Sequence, residues 1–278
     1  MSISQAQLEI ARRLVNEVPD IDSQLPPWAQ RTNPIVRRQL GPHWRMHPPE
    51  LGPILWWFGI QAVLVLLTVH VPLLFVPVII VLMISLFGMP VLLFHYAREL
   101  INLSVDATTS MAREYQQDTL PILRATPFTT REIIMSKVAA SVWRRMDIVG
   151  LTAAFTLTLG IPIILVNYLN WYSPAEMLYV AQGMTLITLA ASLIRVPLEL
   201  FMTAAVGVMM GATVRQRSNA LIATLGLLFF YFLLINLVRL LPMSWPVQLF
   251  VDAVLPVVLP LVIGLGAVEA ARYTLEAD

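Results

Sequence analysis

Long apolar runs alternate with short polar stretches along most of this chain, and the alternation predicts membrane-spanning helices. The runs fall at 54–69, 74–94, 148–166, 177–212, 220–238 and 253–270. Most approach or exceed the ~20 residues a helix needs to cross ~30 Å of hydrocarbon. Only residues 70–73 separate the first two runs, so they read as a tight helical hairpin. The run 177–212 would be ~54 Å long as one helix. Arg195, Pro197 and Glu199 interrupt it, so it reads either as one crossing with an extra outer segment or as two crossings. Pro256 and Pro260 predict a kink or break near the outer end of the last run.

Charge chooses between the topologies. Lys and Arg gather in residues 1–50, in 98–145 and at Arg215 and Arg217, while the other linkers carry almost none. The positive-inside rule then places both termini, the charged segment and the 213–219 loop in the cytoplasm. That requires an odd number of crossings within 177–212, and one is chosen. The expected architecture is all-α: a polytopic membrane protein with six transmembrane helices and a cytoplasmic helical elbow at 97–146 between the second and third spans. Residues 1–50 form a cytoplasmic or interfacial segment and 51–278 the membrane domain. Trp171, Tyr172 and Trp245 then fall at the outer boundary, and Tyr96 and Tyr273 at the inner one, as an aromatic belt requires. The first residues lack an apolar core, so no cleavable signal peptide is expected. The basic stretch 33–45 reads as an interfacial segment on anionic head groups or as an ordinary positive flank.

The elbow has its own pattern. Glu114 and Asp118 share one helix face. Pro121 is expected to end that helix, and Thr126-Pro127 to make a turn. Thr129 can cap a new helix with Glu132 as its capping-box partner, and Phe128 and Ile133 stand at the positions of a hydrophobic staple. A structured polar elbow in a membrane protein is suited to docking a partner.

Composition agrees with a membrane protein: 58% of residues are hydrophobic and 13% charged, against ~25% charged in soluble domains. The net charge of +1 provides no global field for nucleic acid. With no cysteine there is no disulfide framework or thiolate metal site. No Walker loop, HExxH or GxSxG signature occurs, so the chain is expected not to be an enzyme and to hold no catalytic set, metal or cofactor of its own. His43 and His47 are four apart but flanked by prolines, so helical metal-ligand geometry is not expected there. Arg195 and Glu199 are costly inside a bilayer. They read either as a polar pair on a substrate path or as groups near a break at Pro197 that reach water. Gly207 and Gly211 form a GxxxG pattern that permits close helix packing. Asn167, Asn170, Gln182 and Asn236 are candidates for substrate contact or for bonds between helices.

The elbow resembles the cytoplasmic loop of type-two ATP-binding-cassette exporter permeases. The matching residues are Glu114, Thr119, Leu120, Ile122, Leu123, Thr126, Pro127, Arg131, Glu132, Ile133 and Lys137, the only lysine in the chain. Residues 207–223 resemble the fourth span, short basic loop and fifth span of that family. The chain departs from the pattern at Asp118, Pro121 and Ser136, where the family carries Gly, Glu and Gly. The resemblance implies a permease subunit in a bacterial inner membrane, paired with a second permease as a homodimer or heterodimer. A separate ATP-binding-cassette ATPase would hold ATP and magnesium and receive the elbow in a groove. Glu114, Asp118, Arg124, Thr126, Pro127, Arg131, Glu132 and Lys137 are then the expected contacts to that ATPase. The helix after Thr129 is expected to run straight into the third span as a lever. The alternative expectation, prompted by the departures, is an accessory subunit of a larger membrane complex that keeps the permease fold without transporting.

Overall fold

Backbone groups in hydrocarbon have no water to bond, so a spanning chain satisfies them within helices. The computed structural model describes residues 24–41, 51–68, 71–171, 174–214, 216–239, 241 and 243–277, and every regular element among them is helical. In chain order these are α1 (Pro34–Leu40), α2 (Leu51–Leu67), a short 3-10 turn (Pro72–Leu74), α3 (Phe75–Gln116), α4 (Leu120–Arg124), α5 (Thr130–Trp143), α6 (Met146–Trp171), α7 (Pro174–Thr213), α8 (Arg217–Arg239), α9 (Trp245–Leu249) and α10 (Leu255–Ala277). Residues 1–23, His43, His47, His70, Tyr172 and Arg215, all used in the sequence reading, lie outside the described residues, as do the side chains of Asn170, Trp171 and Trp245.

Among the described residues five helices are long and apolar enough to cross a membrane: Val76–Gln116, Ile148–Tyr168, Tyr179–Thr213, Arg217–Arg239 and Pro246–Ala277. The chain is thus an all-helical, multi-pass membrane protein. The expected first span is the one that falls short, because α2 has 17 residues, roughly 25 Å of helix.

Four boundaries differ from the sequence reading. The second span and the first half of the elbow are one rod, α3, of 42 residues and roughly 63 Å. Charged residues change a helix's surroundings without breaking it, and no breaker stands between Phe94 and Glu114. That rod ends at Gln117 and Asp118, where Asp118 adopts a left-handed φ of 51°. Pro121 instead lies in the first turn of α4, where its missing N–H has no partner to lose. The run 177–212 is one continuous helix through Pro197, with no break. Pro256 and Pro260 also stay within a continuous apolar stretch, and the local change of winding is a π-turn at Phe250–Val254 just before them.

α7 is the axis of the bundle, packing against α10, α3, α6 and α8. Small residues permit this. A Cβ on Gly207 would lie 2.8 Å from the Ala107 Cβ, and one on Gly211 would run into the Thr108 carbonyl oxygen of α3. Around these crossings Leu103, Met111, Met202, Val208, Ile235 and Val268 are fully or almost fully buried. Without a hydrophobic drive between helices in lipid, such close packing and polar contacts supply the association. The first half of α3 is apolar all round and presents Phe87 and Phe94 outward, as a lipid-facing surface does.

At the polar end α1 lies on α5. Asn33 caps α1 by accepting from the Ile35 N–H at 2.9 Å, and Ile35, Val36 and Leu40 are buried. Gly41, at a φ of 54°, ends the helix in a conformation glycine adopts without strain. Trp143 of α5 donates its indole N–H to the Ala29 carbonyl at 2.9 Å. The basic stretch at 33–40 is therefore seated on protein.

Candidate functional site

Two polar centres stand out, one at the elbow and one inside the bundle. The elbow is built from α4 and α5. Thr129 accepts from the Glu132 N–H at 3.2 Å, and the Glu132 carboxylate accepts from the Thr129 N–H at 2.8 Å, closing a capping box. Those bonds hold the Glu132 carboxyl below its ordinary value. Phe128 packs on the cluster of Ile35, Leu123 and Ile133. Both ends of the expected staple therefore meet, with α1 added as a third side.

Glu114 and Lys137 do not face outward. Lys137 is fully buried and donates to Glu114 Oε1 at 3.0 Å and to the Ser110 carbonyl at 3.1 Å. Glu114 also accepts from the Thr119 hydroxyl, and Arg38 lies 3.7 Å from it. Burial pushes the Lys137 ammonium down from its ordinary value, while Glu114 pushes it back up. Glu114 and Lys137 are thus spent on each other, which removes both side chains from the expected partner surface. The reason is geometric: α5 crosses the end of α3, and the two residues meet where water is excluded.

Other expected contacts are partly committed. Arg124 donates to the Leu275 carbonyl of α10, and Arg131 lies 3.6 Å from Glu269 of the same helix. Asp118 and Pro127 are exposed and Thr126 is half-buried. Beside them Ile122 is 67% exposed, a large apolar side chain at a polar tip. The join to α6 is not a straight helix. α5 ends at Trp143, and a turn at Arg144 and Arg145 precedes Met146. Arg145 bridges to Asp106 of α3 at 2.9 Å and to Glu99 at 3.5 Å, a long-range pairing with no local signature. The elbow is therefore fastened to α1, α3 and α10 as well as to α6.

The second centre joins α3, α7 and α8. Glu199 is 1% exposed and accepts from Arg195 Nε at 2.6 Å, Tyr96 hydroxyl at 2.8 Å and Tyr231 hydroxyl at 3.1 Å. Arg195 and Glu199 are thus a bonded pair with Glu199 buried and Arg195 partly so, and the expected break at Pro197 does not occur: the helix persists. Tyr96 belongs to this centre, its hydroxyl reaching Glu199 from α3. A neighbouring set holds Asp252. It accepts from Tyr168 at 3.0 Å and from Gln248 at 2.9 Å, and pairs with Arg239 at 3.4 Å. Two carboxylates inside an apolar bundle are each matched by an arginine and hydrogen-bond donors, as buried charge requires.

Tyr96, Tyr231, Tyr168, Arg239 and Asp252 were not singled out as a centre in the sequence. Their one legible signal was the presence of lone polar groups in apolar runs. Of the candidate amides, Gln182 donates to the Leu66 carbonyl of α2 at 3.4 Å and Asn236 to its own helix at 2.7 Å. Asn167 is exposed. Among the described residues no three His, Asp or Glu side chains gather as metal ligands. No family model, curated protein or solved structure matches this chain.

Proposed function

We propose that this chain is the membrane-spanning permease subunit of an ATP-driven exporter. It would sit in a bacterial inner membrane with both termini in the cytoplasm and α2 as a sixth, short crossing. A separate ATP-binding-cassette ATPase would bind ATP and magnesium, and a second permease would complete the pair. ATP-driven closure of the ATPase would press on the elbow, which acts as a hinge-type coupling element.

One observation carries the reading. The residues that resemble the family motif are used together in a way that gives the motif a physical purpose. Glu114 and Lys137 form the buried pair that fixes α5 to α3. Asp118, where the family has glycine, occupies the left-handed conformation that glycine takes most easily. What then remains outward is a tip of Asp118, Ile122, Thr126 and Pro127, with the capped start of α5 and the half-committed Arg124 and Arg131 beside it. An exposed isoleucine at such a tip is what a partner groove would cover. Because the elbow is also tied to α10 and α3, pressure on it would move several helices together.

The accessory reading has one observation in its favour: both oxygens of Glu199 are already satisfied inside the chain. Purification of the native complex separates the two. The permease reading expects two copies of this chain with a Walker-motif ATPase, and loss of that ATPase on Ile122→Asp with the bundle still folded. A complex with no ATPase, or with unrelated redox or pigment proteins instead, would overturn it.

A further inference from the structure

Arginines from four separate elements converge on one cleft at the polar end of the bundle. Arg38 comes from α1, Arg113 from α3, Arg144 from the turn after α5 and Arg217 from the start of α8. The cleft has a volume of about 300 Å³. Its two carboxylates neutralise these cations only in part, because each is shared with a further cation. Glu114 is bonded to the buried Lys137 at 3.0 Å, and Asp106 is bridged by Arg145 at 2.9 Å. Arg38 and Arg144 stand only at 3.7 and 3.9 Å from those acids. Arg113 and Arg217 are exposed and have no ion-pair partner among the described residues. The Arg144 Nε is buried with no hydrogen-bond partner there.

We propose that this cleft binds a phosphate-bearing anion. Guanidinium groups form planar forks that match phosphate oxygens, and several of them on one small anion are worth far more than a scattered surface charge. The volume suits a phosphate with its immediate substituent and a few waters, at ~30 Å³ for each water. It is too small for a helix of ~10 Å diameter. The cleft is lined by the polar second half of α3 and its C-cap, from Val105 to Gln117, and its phosphate could come from a lipid head group or from solution. Occupancy would tie α1, α3, α5 and α8 together through one shared anion.

The test uses the full chain in phosphatidylcholine nanodiscs, with short-chain phosphatidylglycerol and inorganic phosphate as separate titrants. The protein should bind at least one of them, and Arg113→Gln/Arg217→Gln should weaken that binding on the order of 100-fold, about tenfold for each charge-assisted contact. Arg272→Gln removes a cation that is paired on α10 with Glu269 and Glu276, and should leave binding unchanged. Phosphatidylglycerol binding that inorganic phosphate displaces assigns the phosphate group itself. Lipid binding that phosphate does not displace assigns the head group, and phosphate binding alone assigns the soluble source. Binding of neither titrant, equal binding by wild type and the double variant, or equal loss in Arg272→Gln would overturn the proposal.

Discussion

Replacing Lys137 with Met should destabilise the folded protein by ~3 kcal/mol. The magnitude follows from burial. The Lys137 ammonium is fully enclosed and touches one carboxylate and one carbonyl. Removing one partner of a buried ion pair costs ~3–5 kcal/mol, mainly because the other charge is left in a poor medium. Glu114 would keep the Thr119 hydroxyl and Arg38 at 3.7 Å. The Arg38 side chain is 55% exposed, so its compensation is of the surface kind, ~0–1 kcal/mol. Glu114→Gln should cost a similar ~3 kcal/mol, since the buried Lys137 would then lack an opposite charge. The double variant should cost well under the sum, because neither charge is then stranded. Unfolding by SDS titration in mixed micelles measures all four proteins. Single variants within ~0.5 kcal/mol of wild type, or losses that simply add, would refute the assignment of a coupled buried pair.

Other outcomes follow from the same geometry. Gly211→Ala should lose ~1–3 kcal/mol by overpacking against the Thr108 carbonyl, whereas Gly226→Ala, with open space around it, should be neutral or gain up to ~1 kcal/mol; SDS unfolding compares them. Tyr96→Phe and Tyr231→Phe should each lose ~1.5–3 kcal/mol in the same assay, for a hydrogen bond to a buried charge; unchanged stability would remove the hydroxyls from the Glu199 centre. Asp118→Gly should stabilise by up to ~1 kcal/mol and Asp118→Val should destabilise, because φ is left-handed there. The Glu132 carboxyl is held below its ordinary value. Its contribution is therefore complete above about pH 4.5, the usual carboxylate value, and fades as pH falls through its lower folded value. A pH series should show that loss in wild type and a flatter acid limb in Glu132→Gln.

The class of this protein and the local design of its elbow are legible in the order of its residues. Apolar runs of this length have few alternatives to helices in lipid, because the backbone must bond to itself. The Thr129 cap, the Glu132 box and the Phe128 staple are also local, since each depends on residues at most five positions apart. Which polar groups meet depends instead on how the helices pack. Lys137 reads as one more surface charge until α5 crosses the end of α3 and encloses it with Glu114. Tyr96 sits one hundred and three positions from Glu199, and no spacing within either helix announces the bond. The helix ends were misread for a related reason. A proline or a charge marks where a helix can stop, but packing decides whether it does: α7 runs through Pro197, while α5 ends at Trp143 with no proline or glycine there, beside the bridge from Arg145 to Asp106.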